Sequence, residues 1–235
     1  MCGRFASTQT DAELLDVFRA VDVVGEQLPP SYNVAPTQPV RVVLERPPRD
    51  APEDTPVRRI RTVRWGLVPS WARDTKIGSR LINARMETIT TKPSFQAAAC
   101  RRRAIVPSDG YFEWEKRDGA KVPHFLHGDG VLAMAGLYEL WPNPDLPAED
   151  PAKWMWSTVV LTTTATDAHG HIHDRSPVIL PPEFWDHWLD PALTDKDDVD
   201  ALLASIPEPQ LHAYEVSTKF NSPRNNTPDL LTAVP

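Results

Sequence analysis

Short apolar runs with the alternation of β-strands recur along most of the chain. They are rich in β-branched and aromatic residues, and turn pairs separate them, such as Asp109-Gly110, Asp118-Gly119 and Asp129-Gly130. The pattern predicts strands over residues 39–45, 60–66, 103–106, 111–115, 123–127, 131–138 and 156–164. This spacing favours a largely antiparallel sheet or an open barrel over repeated βαβ units.

Helical periodicity is confined to fewer segments. Thr10 can cap a helix that extends to Val21, because the residues between them form an apolar stripe of Leu14, Leu15, Val17, Phe18 and Val21. Two later helices are predicted over 182–189 and 197–205, and Pro181-Pro182 opens the first of them.

Three further segments interrupt these elements. Residues 87–98 are predicted to form a helix or two turns interrupted at Pro93. Residues 141–153 are predicted to form a long surface loop, and the chain after Pro223 is predicted to be irregular. No internal repeat and no strong change of composition divides the 235 residues.

Composition excludes several classes of protein. No run approaches the roughly 18 consecutive apolar residues of a membrane span, so we expect no membrane association. The N-terminal residues lack the apolar region of a secretory signal. Two cysteines, Cys2 and Cys100, do not make a disulfide framework, which favours a reducing, cytoplasmic location.

Charge is distributed unevenly along the chain, whose net charge is −7. Residues 1–105 contain 17 Lys and Arg against 11 Asp and Glu, a net charge of +6, whereas residues 106–235 have a net charge of −13. A basic face on an acidic protein can bind phosphate, and an ordinary solvated surface with ion pairs would give the same count. The basic half includes Arg58, Arg59, Arg61, Arg64, Arg73, Lys76, Arg80, Arg85 and residues 101–103.

The N-terminus offers the first candidate for chemistry. Removal of Met1, which aminopeptidases permit before a small residue, would leave Cys2 with a free α-amine beside its thiol. The amine can form a Schiff base with an aldehyde, and the sulfur can then close a five-membered thiazolidine ring. The alternative is an incidental small residue at position 2.

Two polar residues near strands are the next candidates. Asn83 and Arg85 follow two apolar residues, so they can line a pocket, with the amide on an amine or sugar and the guanidinium on phosphate. The start of a capped helix would look similar. Glu113 lies among Tyr111, Phe112 and Trp114, where an apolar wall would raise its pKa for acid–base work, although an outward-facing strand glutamate fits equally.

Three histidines, His169, His171 and His173, alternate near the C-terminal third of the chain. Alternate positions can share one face of a strand and bind a metal ion. Gly170 and the following Asp-Arg-Ser-Pro indicate a turn instead, and no further ligand completes a set. We therefore expect one working histidine and no metal.

Six sequence blocks occur in an order that resembles the SRAP family, once called SOS response-associated peptidases. The resemblance extends from Cys2 to the region 217–226, and it implies a single compact α+β domain over 1–226 with an irregular tail over 227–235. The implied core is β-rich, largely antiparallel and barrel-like, with peripheral helices. The blocks are MCGRFA (1–6), YNVAPTQP (32–39), RWGLVPSWA (64–72), LINARMET (81–88), SDGYFEW (108–114) and HIHDRSP (171–177).

The resemblance also implies an activity in DNA repair. Family members form a thiazolidine crosslink between the mature N-terminal cysteine and the aldehyde of an abasic site in single-stranded DNA. Carried over by motif, Cys2 is the nucleophile, Asn83 orients the amine or sugar, Glu113 transfers protons, and His173 assists sugar ring opening and reversal. The implied DNA-binding residues are Arg4, Asn33, Pro36, Trp71, Arg85, Thr162 and Arg175.

We expect a monomer, since a small lesion-binding domain can work as one. We also expect that it needs no cofactor and acts near the nucleoid when DNA is damaged. One departure from the family pattern concerns Ala72, since some relatives have a second aromatic residue after the position of Trp71. This sequence therefore offers only the ring of Trp71 at that point for stacking on a base beside the lesion.

Three other functions compete with this interpretation. An N-terminal-cysteine amidohydrolase can also begin Met-Cys-Gly, but its Arg-Gly-Pro and Asn-Gly-Glu blocks are absent from this sequence. A peptidase would use Cys2 and His173 as a dyad. A binder without chemistry would shield single-stranded DNA and would retain its affinity in Cys2→Ala.

Overall fold

The computed structural model describes residues 2–48, 51, 53–165 and 170–234. Within these residues there are four α-helices: α1 (Asp11–Phe18), α2 (Gln96–Arg101), α3 (Pro182–Leu189) and α4 (Lys196–Ser205). The strands are β1 (Phe5–Ser7), β2 (Val23–Val24), β3 (Ser31–Val34), β4 (Pro39–Arg46), β5 (Val57–Trp65), β6 (Asn83–Arg85), β7 (Arg103–Ser108), β8 (Gly110–Arg117), β9 (Ala120–His127), β10 (Leu132–Pro142), β11 (Trp154–Thr164), β12 (Arg175–Pro177) and β13 (His212–Glu215).

Five strands close into a barrel. Antiparallel pairing connects β11 to β10, β10 to β7, β7 to β4 and β4 to β5. A short parallel pairing of β5 with β11, Ser157 opposite Arg64 and Thr158 opposite Trp65, completes the ring. The barrel therefore has two ends, and β11 extends from one to the other.

Alternation along the strands separates the barrel interior from its outer face. Interior residues such as Val42, Val63 and Val106 form one apolar cluster. The intervening residues, including Val43, Ile60 and Ile105, face outward into a second cluster that the helices cover. The helical side chains in that cluster include Leu14, Phe18, Trp188 and Leu203.

A second sheet of five strands, in the order β13-β9-β8-β1-β3, covers one end of the barrel. Phe5 of β1 packs edge-on against Trp65 of β5, with their ring centroids 4.9 Å apart. Cys2 and Tyr111 belong to the same buried cluster as the barrel interior. We call this the Cys2 end, and the opposite opening, where β11 begins, the Trp156 end.

The α+β class and the largely antiparallel, barrel-like core are confirmed. The helix at 182–189 has its predicted bounds, and the helix predicted over 197–205 begins one residue earlier. Thr10 caps α1 as predicted, but this helix ends at Phe18 instead of Val21 because Arg19 adopts a left-handed conformation with φ 52°.

Other predicted boundaries differ from the structure. Of residues 87–98, only 96–98 join an α-helix, α2, and the residues on both sides of Pro93 form turns. The predicted loop over 141–153 begins two residues later, because Trp141 and Pro142 still pair with β11. Beyond residue 226, a 3-10 turn over Pro228–Leu231 buries Leu230 against the second sheet.

No helix in the described part of the chain is long and apolar enough to cross a membrane.

Candidate functional site

Cys2 is fully buried at the end of the barrel that the second sheet covers. The side-chain amide of Asn83 donates a 2.7 Å hydrogen bond to the Cys2 carbonyl oxygen. Parallel pairing with Val160 of β11 fixes Asn83, and the indole of Trp65 donates to the carbonyl of Ile82 at 2.9 Å. Cys2, which precedes β1 by three residues, is therefore held against the barrel by a side chain from a different strand.

The amide oxygen of Asn83 has no partner among the residues that the structure describes. Its Oδ1 atom is buried and accepts no hydrogen bond from any residue that the structure describes. Buried polar atoms without a partner are costly, and they concentrate at sites that bind a ligand. Asn83 can therefore hold the Cys2 carbonyl with its nitrogen and accept a donor, such as an amine, with its oxygen.

The Cys2 thiol is protonated at neutral pH. Burial raises its pKa far above the ordinary range for cysteine, and the negative charge of Glu113 raises it further. Its Sγ lies 3.9 Å from the carbonyl oxygen of Arg4. Sulfur at this site must lose its proton during a reaction, because no thiolate is present beforehand.

Glu113 lies on β8 opposite His124 of β9 and is only 2 % exposed. Burial raises the pKa of its carboxyl group, and the charge of His173 acts in the opposite direction. A carboxyl group with a raised pKa retains its proton closer to neutral pH than an exposed one does. Glu113 is therefore suited to accept or donate a proton beside Cys2.

His173 lies in the turn that leads into β12. Its Nδ1 atom accepts a 2.9 Å hydrogen bond from the backbone N–H of Arg175, which leaves the proton of the neutral ring on Nε2. The same Nδ1 lies 3.0 Å from the Asp174 carboxylate, a contact that requires a proton on Nδ1. The backbone hydrogen bond sets the tautomer of the neutral ring, with its proton on Nε2, because Asp174 is exposed and solvated.

Metal binding by the histidine segment finds no support within the described ranges. His169 lies outside the described residues, and the described ones contain no group of three metal-ligating side chains.

Arg85, Thr162 and Arg175 meet where β11 ends. Arg85 pairs with Thr162 in the parallel β6–β11 ladder, and its side chain is exposed. The Arg175 guanidinium donates a 2.6 Å hydrogen bond to the backbone carbonyl oxygen of the buried Thr162. Its guanidinium also forms a two-point ion pair with Glu87 at 2.7 and 3.0 Å. The charge of Arg175 is therefore offset, whereas that of Arg85 faces solvent.

Arg4 and Asn33 bind the chain segment 220–225 together. Arg4 donates to the Asn33 amide oxygen at 2.9 Å and to the carbonyl of Phe220 at 3.1 Å. The buried Asn33 donates to the carbonyls of Phe220, Ser222 and Asn225 at 2.8–3.0 Å. These side chains attach a C-terminal turn next to the residues that follow Cys2.

Pro36 and Trp71 lie in the loops that follow β3 and β5. Pro36 is half-buried, and Trp71 is 58 % exposed, the kind of open aromatic face that can stack on a base. The carbonyl of Ala72 accepts a 2.7 Å hydrogen bond from the Trp141 indole, which fixes the chain directly after Trp71.

The structure thus brings Cys2, Asn83, Glu113 and His173 together through one hydrogen bond and two charge interactions. It also shows residues that the sequence did not single out, namely Trp65, Glu87 and the turn 220–225. The last two could not be found from sequence, because their partners lie 88 and 187 residues away along the chain. Trp65 lies inside a block already noted, but its contact with Ile82 depends on the barrel.

Comparison with known proteins matches residues 1–223 to the family described as SOS response associated peptidase (SRAP). Abasic site processing protein YoqW of Bacillus subtilis (strain 168) is 37% identical over 98% of this chain and 99% of its own length. Abasic site processing protein HMCES of Xenopus tropicalis is 29% identical over 100% of this chain and 78% of its own.

Solved structures share the fold. A crystal structure of a Bacteroides thetaiotaomicron protein superposes with a TM-score of 0.81 at 25% identity, covering 99% of this chain and 100% of that one. A Bordetella bronchiseptica protein gives a TM-score of 0.72 at 25% identity, covering 92% of this chain and 100% of that one.

Proposed function

Because the chain belongs to the SOS response associated peptidase (SRAP) family, we propose that it captures abasic sites in single-stranded DNA through a covalent bond to Cys2. The names of its relatives, abasic site processing proteins, support a role in processing this lesion in DNA. The resulting DNA–protein crosslink would shield the lesion. The reaction would begin with a Schiff base, as the reactions of DNA lyases do.

One observation carries the chemical part of the proposal. The nitrogen of the Asn83 amide holds the Cys2 carbonyl, and its oxygen is a buried acceptor without a partner in the described part of the chain. An α-amine on Cys2, once Met1 is removed, is the donor that this acceptor suits. The charge of Glu113 raises the pKa of the Cys2 thiol. An amine, a thiol and a carboxyl group would therefore act together on one incoming aldehyde.

The bonds change in two steps. The Cys2 amine attacks the aldehyde carbon of the ring-opened abasic sugar, and loss of one water gives an imine. The thiol then adds across the C=N bond, so that sulfur bonds to carbon and its proton ends on nitrogen. The net change is loss of one water and gain of a five-membered ring, which consists of N, Cα, Cβ and Sγ of Cys2 and the former aldehyde carbon.

Glu113 and His173 would move the protons of these steps. The first step must protonate a departing hydroxyl group, which suits a carboxyl group whose pKa burial has raised. The second must take a proton from a thiol whose pKa is also raised, which suits the same group as a carboxylate. His173, whose charge acts on Glu113, would assist sugar ring opening and the reversal of the crosslink.

Binding of the strand would depend on the exposed Arg85 and Trp71. Arg85 would contact a phosphate, and Trp71 would stack on an unpaired base, which explains a preference for single strands. Arg4 and Asn33 would act mainly by holding the turn 220–225 at the edge of the groove that we propose for the DNA strand, between Arg85 and Trp71. Pro36, Thr162 and Arg175 would complete the groove wall.

The peptidase alternative is disfavoured by the state of the thiol. A Cys–His dyad attacks as a thiolate, whose pKa a neighbouring histidine lowers. Burial and Glu113 raise the pKa of Cys2 instead. Imine formation begins with the amine and needs no thiolate, so it is compatible with the geometry.

The test is a crosslinking assay with single-stranded DNA that contains one abasic site. Wild type should give an adduct stable to heat and SDS, and undamaged DNA should give none. Cys2→Ala and Cys2→Ser should lose this adduct, since without sulfur the imine hydrolyses, although borohydride reduction should recover an adduct in both variants because each retains the α-amine. Cys100→Ala, which removes the other cysteine, is the matched control and should crosslink like wild type.

An equally stable adduct in Cys2→Ala would show that the nucleophile is wrong. Ammonia release from glutamine by the purified protein would favour the amidohydrolase instead. Binding of abasic DNA without any adduct, unchanged in Cys2→Ala, would favour a non-enzymatic binder.

A further inference from the structure

A cavity lies at the Trp156 end of the barrel, away from Cys2. Its volume is about 520 Å³, within the range of small-molecule sites. We call it the Trp156 pocket; the side chains that matter in it are Arg46, Arg59, Arg61, Trp154 and Trp156. Trp156 and Val160, the partner of Asn83, are four residues apart on β11, a distance of about 13 Å along the strand.

Strand register places the three arginines together. Arg61 pairs with Val42 and Arg59 with Leu44, and both partners face the barrel interior. Arg46 continues the same face of β4 two residues beyond Leu44. Three cationic side chains from one hairpin therefore converge on one opening.

Two of these charges have no carboxylate partner among the described residues. Arg59 contacts Asp22 at 3.3 Å, but no described Asp or Glu pairs with Arg46 or Arg61, and none lines the pocket. The Nε atom of Arg61 is buried without an acceptor in the described part of the chain. Burial and repulsion from Arg46 lower the pKa of Arg61. An anion between the two guanidinium groups would remove both costs.

The two tryptophans of the pocket differ in whether their rings are covered by other side chains. Tyr138 stacks on Trp156 with centroids 5.4 Å apart, and the Arg61 guanidinium lies 3.9 Å from the same indole. These two contacts occupy Trp156 and fix Arg61. Trp154, two residues earlier on β11, lines the pocket and is 46 % exposed. Its indole is available to a flat ligand.

We propose that the Trp156 pocket binds a nucleoside 5′-phosphate unit, either a free nucleotide or one nucleotide of a DNA strand. The phosphate lies between Arg46 and Arg61, and the base stacks on Trp154. A planar aromatic group and an anion a few ångströms apart are what the lining recognises, and a nucleotide combines them in one unit. The site is separate from the Cys2 end, so nucleotide binding there does not depend on the proposed crosslinking activity.

The experiment is isothermal titration of the full chain with four probes: deoxyadenosine 5′-monophosphate, deoxyadenosine, inorganic phosphate and an undamaged oligodeoxyadenylate of ten nucleotides. The monophosphate should bind more tightly than the nucleoside or phosphate alone. Trp154→Ala and Arg61→Gln should each weaken it about tenfold, the effect of losing one stacked base or one charged hydrogen bond. Arg101→Gln, at an exposed arginine of α2, removes the same charge elsewhere and should bind like wild type.

The two sources of the ligand give different results. A pocket for free nucleotides binds the monophosphate at least as tightly as the oligonucleotide, whereas a pocket for DNA binds the oligonucleotide more tightly, with the same sensitivity to Arg61→Gln. If Arg61→Gln fails to fold, Arg46→Gln, at a half-buried arginine of the same pocket, should reproduce the loss of nucleotide affinity. Unchanged binding in Trp154→Ala and Arg46→Gln, or phosphate alone binding as tightly as the nucleotide, would overturn the proposal.

The Cys2→Ala variant separates this site from the proposed crosslinking site. It should bind the monophosphate like wild type even though it forms no stable adduct with abasic DNA. If Cys2→Ala abolished nucleotide binding, the ligand would occupy the Cys2 end and the Trp156 pocket would have no nucleotide of its own.

Discussion

Burial of two ionisable groups at the Cys2 end sets the chemistry at the scale of single residues. The thiol of Cys2 and the carboxyl group of Glu113 both have raised pKa values, because both lose water contact and the negative charge of Glu113 also disfavours a thiolate at Cys2. The pair therefore rests with few charges and exchanges protons when a substrate arrives. This arrangement favours addition to an imine over attack by a preformed thiolate.

Glu113→Gln should slow crosslinking about a hundredfold, a typical contribution of one acid–base group. The raised pKa keeps Glu113 protonated at pH values where exposed carboxyl groups are ionised, so the wild-type rate should change above the usual carboxyl range, with the imine-forming step slowing as pH rises. The measurement is the crosslinking rate across pH, and the glutamine variant should lack that inflection.

Glu115→Gln is the matched control, since Glu115 lies on the same strand and its pKa is lowered by a hydrogen bond from Arg117. It should retain the wild-type profile. Superimposable profiles for wild type and Glu113→Gln would remove Glu113 from proton transfer.

At the scale of elements, β1 is held from both sides. It pairs with β8 and with β3, and Asn33 of β3 attaches the turn 220–225 through three hydrogen bonds from one buried amide group. A C-terminal turn thus supports the strand that carries the N-terminal residues. The site depends on contacts between chain segments almost 190 residues apart.

Asn33→Ala should lower the free energy of unfolding by about 2 kcal/mol, because it removes the hydrogen bonds of one buried amide to the turn and to Arg4 and leaves the carbonyls of Ser222 and Asn225 without the Asn33 donor. Urea denaturation measures this change. Gln27→Ala, at an exposed amide side chain, is the control and should leave stability nearly unchanged. Equal stability of the two variants would show that the turn is not held by Asn33.

Sequence periodicity predicted most elements because alternation and capping are local properties. The α3 bounds and the capping of α1 followed from Pro181-Pro182 and from the position of Thr10 before an apolar stripe. Closure of the barrel could not be predicted, because the parallel pairing of β5 with β11 joins strands about ninety residues apart. The same limit applies to the site: Cys2 and Asn83 were recognisable singly, but their hydrogen bond was not.

At the scale of the whole molecule, basic and acidic residues are segregated along the chain. The first 105 residues have a net charge of +6 and the remainder −13. Several arginines of the basic half are neutralised, since Arg58 pairs with Glu45 and Asp186. The charges that remain for phosphate are fewer than the sequence suggests, and Arg85 is one that faces solvent.

Arg85→Ala should weaken binding of single-stranded DNA and reduce the slope of log affinity against log salt by about 0.7, the value for one phosphate contact. Titrations at several salt concentrations measure that slope. The exposed Arg101→Ala serves for comparison and should leave it unchanged. An unaltered slope in Arg85→Ala would mean that this side chain does not contact phosphate.

The central claim is that nitrogen and sulfur of Cys2 both bond to the damaged sugar. Mass spectrometry of the tryptic peptide Cys2-Gly3-Arg4, released from the adduct and treated with a thiol-alkylating reagent, tests it most directly. We predict that this peptide lacks Met1, carries the sugar with loss of one water, and takes up no alkyl group. A sugar-bearing peptide that retains Met1, or whose thiol is alkylated, would contradict the account.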